Sequence, residues 1–415
     1  MTANFLFVAI VLIILLGFIL DRVLSLLNQK SWKPEIPAEM LGFYDEEKYK
    51  KSHDYEKARG TFNVWSSLFS LVLILLMLFF NGFAYLDAWV RDITENQYLM
   101  PLLYFGILFF ISDILSLPFS VYSTFVIEEK FGFNKMTPFI FITDKLKGML
   151  LAVILGGAIL CLFIWFYSTM GSKFWIPLWV FLTLFGMFMT MFYTSLIVPL
   201  FNKLSPLEEG ELRTAIESYC EKVGFKLTNL FVIDGSKRSS KSNAYFSGLG
   251  PKKKIVLFDT LIENQQTEEI VAVLAHEIGH YKLKHTLIGM ILSFAQSGIM
   301  LYLMSLVIAH QLLGEALGVN QMSLHIGLIC FTMLYSPLST IFGILMNIVS
   351  RKNEFQADAY AATTYKAEKM IVALKKLSVD NLSNLYPHPA YVFVHHSHPP
   401  ILKRIDSIKK VSMSS

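Results

Sequence analysis

Long apolar runs restrict this chain to a membrane fold. Stretches long enough to cross about 30 Å of hydrocarbon recur along it. Only 16% of its residues are charged and 54% are hydrophobic, whereas a soluble domain averages about 25% charged residues. A soluble enzyme, a disordered protein and a secreted disulfide scaffold are therefore excluded. We predict seven transmembrane helices, near residues 4–20, 65–86, 98–118, 148–169, 175–200, 286–312 and 322–349.

The basic residues between these runs predict the orientation. Lysine and arginine are concentrated after the first and third runs and are sparse in the loops of the opposite side. The positive-inside rule then places the N-terminus outside or in a lumen and the C-terminus in the cytoplasm. The membrane would be a bacterial plasma membrane or the endoplasmic reticulum, depending on the source. With a net charge of +4 and no basic stripe, the predicted surroundings are the lipid bilayer, and no nucleic acid is expected as a partner.

The predicted fold is an all-α multispan membrane protein with a small α+β domain on the cytoplasmic side. The expected segments are spans one to five in 1–200, the α+β domain in 201–285, spans six and seven in 286–350, and a C-terminal cytoplasmic segment in 351–415.

Within the α+β domain the pattern predicts a helix over 207–224. Strands are expected over 229–233, 243–246 and 254–258, with Gly248, Gly250 and Pro251 turning the last two into a hairpin. Thr267 is expected to cap the next helix.

That next helix carries the motif H-E-x-x-H in residues 274–280. Helical positions four apart share a face, so the imidazoles of His276 and His280 can converge on one Zn²⁺ while Glu277 reaches a water molecule activated by the metal. Such a water has its pKa lowered toward ~7, and a carboxylate can take its proton as it attacks a carbonyl. The alternative is a coincidental pair of surface histidines, but the motif lies on a capped helix immediately before a span, which favours zinc.

A catalytic zinc needs a third protein ligand and an open position. Glu354 directly follows the seventh predicted span, whereas the histidine pair precedes the sixth, so antiparallel spans bring both to one membrane face. Asp358, one turn beyond Glu354, could accept a proton from the second ring nitrogen of a ligating histidine. Both carboxylates could instead be a solvated acidic pair. His285 lies about 140° around the helix from His280 and is expected on the surface or beside a ligand.

At this point the sequence resembles a known family, the type I CAAX prenyl proteases. These are integral-membrane zinc metalloendopeptidases, gluzincins whose active-site helix reads His-Glu-Ile-Gly-His. The resemblance covers nearly the whole chain, because further family signatures follow in the same order at 126–134, 199–203, 242–246, 354–358 and 397–400.

The resemblance implies a zinc endoprotease with one Zn²⁺ per chain and seven helices that enclose a large chamber. Its substrates would be prenylated (CAAX-type) or otherwise membrane-associated proteins or peptides, cleaved near their C-terminus with Glu277 as the general base. It also implies Glu354 as the third ligand, supported by Asp358. An edge strand would bind the substrate backbone, although an ordinary amphipathic strand is also compatible with its residues, Asn243, Ala244, Tyr245 and Phe246.

His398 and Arg404 match a C-terminal pair of the family, and a donor or cation there could stabilise an oxyanion. The alternatives are a loop histidine fixed by the prolines that follow it and a solvated helix charge. Polar residues inside the predicted spans need either a water-filled chamber or specific partners; they are Asn81, Asp113, His325 and Asn347.

Two other functions remain open on the sequence alone. A membrane quality-control zinc protease would use the same metal without lipid selectivity. A transporter or channel would hold a structural metal site, but no inverted repeats are visible.

Overall fold

Helices make up most of the chain in the computed structural model, which describes residues 2–227, 229–248 and 253–414. The helices before the sheet domain are α1 (Ala3–Lys30), α2 (Glu46–Phe79), α3 (Gly82–Ile93), α4 (Leu99–Tyr122), α5 (Pro138–Leu151), α6 (Gly157–Met170), α7 (Trp175–Leu196) and α8 (Val198–Phe201). The remaining helices are α9 (Glu211–Lys222), α10 (Asp259–Asn264), α11 (Thr267–Lys282), α12 (His285–Val307), α13 (Gln311–Ala316), α14 (Leu324–Thr364), α15 (Ala367–Asp380), α16 (Pro389–His395) and α17 (Ile401–Ser414).

Six helical stretches of the described residues are long and apolar enough to cross a membrane, which makes the chain an integral multi-pass membrane protein. One of them, Pro138–Phe201, has 64 residues. At 1.5 Å per residue it would measure about 96 Å, three times the thickness of the hydrocarbon layer. It is interrupted by a 3₁₀ turn over Gly171–Phe174. One predicted span, 148–169, precedes this turn, and another, 175–200, follows it. The count of seven remains a prediction.

The helix bounds differ from the predicted apolar runs in two places. The run predicted over 65–86 breaks at Asn81, where α2 ends and the backbone adopts a left-handed φ of 53°. The run predicted over 322–349 continues as one helix of 41 residues to Thr364. Its polar C-terminal part carries Glu354 and Asp358, so the two carboxylates are fixed rigidly to a membrane helix.

Specific partners explain the polar residues that the sequence places inside spans. Asp113 pairs with Lys145 at 2.5 Å, and the amide of Asn347 donates to the carbonyl of Val394 at 2.8 Å. His325 is fully buried, with its Nε2 2.6 Å from Asp87 Oδ1. Asn81 lies in the turn between α2 and α3. Pairing therefore accounts for three of the four without a chamber.

Among the described residues, the sheet of the α+β domain has four strands in the order β1-β2-β4-β3. They are β1 (Leu204–Pro206), β2 (Leu230–Ile233), β3 (Ala244–Ser247) and β4 (Lys254–Phe258). β2 and β4 are parallel, and β3 runs antiparallel to β4 with Tyr245 opposite Val256, as the predicted hairpin requires. Gly250 and Pro251, predicted in its turn, lie outside the described residues.

Local details of this domain differ from the sequence prediction. Strand β1 was not predicted, and the helix expected over 207–224 begins only at Glu211. Thr267 is the first residue of α11 and not its cap: the preceding Gln266 donates its backbone N–H to Glu269 Oε2 at 2.8 Å. A buried core joins the sheet to α11 through Ile255, Leu257, Ile270, Leu274 and Ile278. This core fixes the helix that carries the histidine pair.

Candidate metal centre

The two faces of α11 have different roles. Ile270, Leu274 and Ile278 recur at intervals of four and pack into the core, as an amphipathic helix requires. His276 and His280 project from another face toward α14, where Glu354 lies. Burial of the apolar face therefore sets the direction of the imidazoles.

Gly279 lets α11 and α14 approach closely at this point. A β-carbon at position 279 would lie 3.1 Å from Tyr360 Cδ1 and 3.2 Å from the Cα of Ala357. These separations are tighter than ordinary van der Waals contact, and one of the two atoms belongs to the backbone. The glycine of the motif thus controls the distance between the histidine pair and Glu354.

We expect Gly279→Ala to force the helices apart and to lower the unfolding midpoint and the metal affinity together. Overpacking of this kind costs about 1–3 kcal/mol, which outweighs the helix propensity gained from alanine. Gly289→Ala is the matched control, because a β-carbon there meets nothing within 4 Å. Thermal unfolding and metal titration of both variants in detergent check this. Equal behaviour of the two would contradict the packing role of Gly279.

Three side chains converge with the separations that a metal ion requires. His276 Nε2 and His280 Nε2 lie 3.1 Å apart. Glu354 places Oε2 3.5 Å from His276 Nε2 and Oε1 3.2 Å from His280 Nε2. Donors at 2.0–2.1 Å from a tetrahedral ion are about 3.3 Å from one another. The predicted trio, His276, His280 and Glu354, is therefore one group that could hold a metal ion.

The Glu354 carboxylate supplies independent evidence for this fit. It is only 4% exposed. Its Oε2 atom makes no hydrogen bond within the described residues and has only ion-pair contacts, with Arg404 at 3.3 Å and His276 at 3.5 Å. A buried carboxylate oxygen without a hydrogen bond is costly. Coordination to a cation would satisfy it, so the residues fit a divalent metal.

Asp358 and Arg404 support the ligands from behind. Asp358 Oδ1 lies 2.9 Å from His276 Nδ1, as predicted, and this contact directs the opposite ring nitrogen toward His280 and Glu354. Arg404 binds Asp358 through two hydrogen bonds of 2.6 and 2.8 Å and lies 3.3 Å from Glu354 Oε2. Neither residue is the solvated surface charge considered as an alternative.

A contact on the other side of the site involves His285. It is 6% exposed, and its Nδ1 lies 3.0 Å from His280 Nδ1. Its other nitrogen is 3.0 Å from the amide oxygen of Gln356. Of the two positions expected for His285, the structure places it beside a ligand. The contact of Gln356 with His285 was not predicted. The signal in the sequence for a role of Gln356 is its position two residues after Glu354.

The pKa of His276 predicts how metal affinity varies with pH. Burial lowers this pKa, but the carboxylates of Asp358 and Glu354 beside the ring outweigh burial and raise it to about 9. Zinc binds only neutral imidazole, so after removal of the metal each pH unit below about 9 should lower zinc affinity about tenfold. Competition titrations against a chelator between about pH 6 and 9.5 measure this. In Asp358→Asn, the pH at which zinc affinity begins to fall should be lower. Zinc affinity that does not vary with pH would contradict the assignment.

Glu277 and His398 lie beside the trio. Glu277 makes no hydrogen bond or ion pair with any residue that the structure describes, and burial raises the pKa of its carboxyl. His398 Nε2 is 3.3 Å from Glu354 Oε1, while 64% of its side chain is exposed. Both groups are free to meet a reactant.

A polar cavity of about 900 Å³ lies beside the trio. His398 and Arg404, which both contact Glu354, contribute to its lining, and so do Asn63, Ser66 and Ser70 from the apolar part of α2. The cavity therefore reaches from the candidate metal centre into the membrane region, in agreement with the predicted chamber.

The predicted substrate strand lies at the edge of the sheet. β3 is terminal in the strand order, with β4 as its only neighbour among the described strands. The ring centroids of Phe246 and Tyr281 are 5.5 Å apart, so β3 lies against α11 one residue beyond His280. Asn243 immediately precedes the strand. An edge position is required for strand addition, but the binding role of residues 243–246 remains a prediction.

Comparison with known proteins assigns the chain to a family. Residues 25–203 match the model of the CAAX prenyl protease N-terminal region with five membrane helices. Residues 206–412 match the model of peptidase family M48. The chain belongs to peptidase family M48. Membership makes it a membrane metalloprotease, and it confirms the resemblance seen in the sequence.

Full-length relatives support the same assignment. The CAAX prenyl protease 1 homolog of Arabidopsis thaliana is 39% identical to this M48 chain over 388 residues, 90% of each chain. CAAX prenyl protease 1 of Saccharomyces cerevisiae is 34% identical over 412 residues, covering 92% of this chain and 90% of the relative. The crystal structure of S. mikatae Ste24p matches with a TM-score of 0.92 and 33% identity, covering 97% of this chain and 99% of that chain.

Proposed function

We propose that the chain is a zinc endopeptidase that cleaves prenylated (CAAX-type) proteins or peptides near their C-terminus. The observation that carries the proposal is the convergence of His276, His280 and Glu354 with the donor separations of a tetrahedral ion. Two imidazoles and one carboxylate are a catalytic zinc set that leaves a position open. The substrate class is supported by relatives over nearly the full length that are named CAAX prenyl proteases.

Zinc bound here would act as a Lewis acid on the substrate carbonyl and would make a water molecule more acidic. The chain's own residues supply the other steps. The edge strand β3 holds an extended peptide through main-chain hydrogen bonds. Glu277 takes the proton of the attacking water and returns it to the leaving amine, because it directly follows His276 in the motif and makes no hydrogen bond or ion pair with the described residues.

His398 is the proposed donor to the oxyanion, because its largely exposed imidazole lies beside Glu354, with Nε2 3.3 Å from Oε1, and an imidazole N–H can donate to a developing oxyanion. Arg404 is directed at Asp358 and Glu354. We therefore assign Arg404 to positioning of the ligands, and Asp358 to the orientation of His276.

The proposed orientation keeps the metal centre, the α+β domain and the C-terminus in the cytoplasm, with the N-terminus outside or in a lumen. The excess of basic residues supports it. Contacts support a common side as well: the hydroxyl of Ser52 in the polar part of α2 donates to the carbonyl of Leu382 at 3.0 Å, in the C-terminal segment.

A paired assay tests the substrate class. Purified protein in detergent is given one CAAX peptide in two forms, with and without a farnesyl group on its cysteine. We expect kcat/KM to be at least about tenfold higher for the farnesylated form, equivalent to about 1.4 kcal/mol of lipid recognition. Equal rates on both forms would instead favour the quality-control protease, and cleavage of neither would overturn the proposal. The transporter alternative is disfavoured by membership of a peptidase family.

A further inference from the structure

A second cavity, distinct from the metal centre, lies where α2 and α4 leave the membrane. It has a volume of about 1140 Å³. We call it the lysine groove after the four lysines of its lining, Lys50, Lys51, Lys57 and Lys130. Aromatic side chains line it as well, namely Phe62 and Trp65 of α2 and Phe119 and Tyr122 beside them.

The groove and the cavity at the metal centre use different residues of α2. Tyr55, Glu56 and Arg59 line the cavity at the metal centre, whereas Lys57 and Trp65 line the groove. None of the metal-binding or proposed catalytic residues belongs to the groove. The groove is thus separate from the metal centre.

The charge of the groove is positive. Its four lysines form no ion pair with any carboxylate of the described residues, and they outnumber the two acidic residues of the lining, Glu47 and Asp54. Neighbouring carboxylates point elsewhere: Glu128 binds Tyr55 and Lys241, and Glu129 accepts from Asn134 at 2.8 Å. Four unpaired ammonium groups in one groove attract an anion.

The depth of the groove matches the boundary of the bilayer. Arg59 is the last charged residue of α2, and no charge follows it until the helix ends at Phe79. Lys57 and Trp65 are eight residues apart, about 12 Å along a helix. The rings of Phe62 and Tyr122 stack at 5.7 Å, below the lysines. Aromatic residues of this kind concentrate at the level of lipid headgroups.

The helix geometry of α4 is irregular where this helix forms a wall of the groove. Pro118 lies inside α4, and a π-helical segment over Ser123–Glu128 follows it directly. Val126 and Ile127 of this segment line the groove. π-helical turns are rare and are frequent at functional sites, so the widened wall favours a binding role.

We propose that the lysine groove binds an anionic phospholipid. Its phosphate contacts the lysines, and its acyl chains lie over Phe62, Trp65 and Phe119. Charge complementarity and the polarity gradient from lysines to aromatic rings favour this ligand over a zwitterionic lipid. Each lysine near the surface should contribute about fivefold to affinity.

Native mass spectrometry of the full chain tests this after removal of endogenous lipid. The protein is titrated with dioleoylphosphatidylserine or with dioleoylphosphatidylcholine. We expect phosphatidylserine to bind at least about tenfold more tightly, and K50Q/K57Q/K130Q to lose that preference. The control K135Q/K226Q/K237Q removes three lysines of other surfaces and should retain it. The metal content of all variants checks that they remain folded.

Four results would overturn the proposal. Equal affinity for the two lipids, or an unchanged preference in K50Q/K57Q/K130Q, would show that the groove does not select an anionic headgroup. Displacement of the lipid by millimolar inorganic phosphate would make the groove a site for the free anion. Displacement by a farnesylated peptide would assign it to the substrate.

Discussion

Glu277→Gln should abolish peptide hydrolysis while the metal content stays at the wild-type value. The glutamine has the same shape, but it cannot accept the proton of the attacking water. General-base catalysis contributes about 10²–10⁴-fold, so we expect kcat to fall by about 10³-fold or more. Glu277 makes no hydrogen bond or ion pair with the rest of the described chain, so its replacement leaves no other group without a partner.

The measurement is steady-state cleavage of a farnesylated CAAX peptide, with metal content determined on the same preparation. Thermal unfolding supplies the structural control, because the midpoint should not change. A variant that keeps more than a tenth of the wild-type kcat would remove Glu277 from the proton-transfer role. Loss of the metal would instead make it part of the binding site.

Glu354→Gln should release the metal, and activity should be lost with it. The amide is neutral and a weak metal ligand. Arg404 stays buried 3.3 Å from this position, and its positive charge is then no longer balanced by a carboxylate at residue 354. Loss of groups that only support a ligand weakens metal binding 10–100-fold. Loss of the ligand itself should therefore exceed about 100-fold.

Glu368→Gln on α15 is the matched control, since this carboxylate is exposed and lies outside the candidate site. Metal affinity of both variants is read by chelator competition at one pH. We expect the control to match the wild type. Wild-type affinity in Glu354→Gln would leave the histidine pair without its third ligand and would refute the assigned trio.

The arrangement of the candidate metal centre could be predicted because its signals are local or topological. The spacing of His276 and His280 places them on one helical face. The histidine pair precedes the sixth predicted span and Glu354 follows the seventh, so the antiparallel course of these two spans brings Glu354 to the same membrane face. Asp358 follows from its position one turn further on. These inferences need only helix periodicity and the lengths of apolar runs.

Other features depend on how helices pack, which no local pattern encodes. The contact between His285 and Gln356 joins residues that are 71 positions apart, and the role of Gly279 becomes visible only when α14 crosses α11. The break at Asn81 is different. The apolar run hides it, but the dipeptide Asn81-Gly82 is a turn signal that deserved greater weight than continuous hydropathy.

X-ray absorption at the zinc edge tests the central claim most directly. The account predicts one zinc per chain in the purified protein, bound by two imidazole nitrogens at about 2.0–2.1 Å and by oxygen, without sulfur. The Glu354→Gln variant should lose this spectrum. A sulfur ligand, or a zinc signal that persists when His276 and His280 are both replaced by alanine, would place the metal elsewhere and contradict the account.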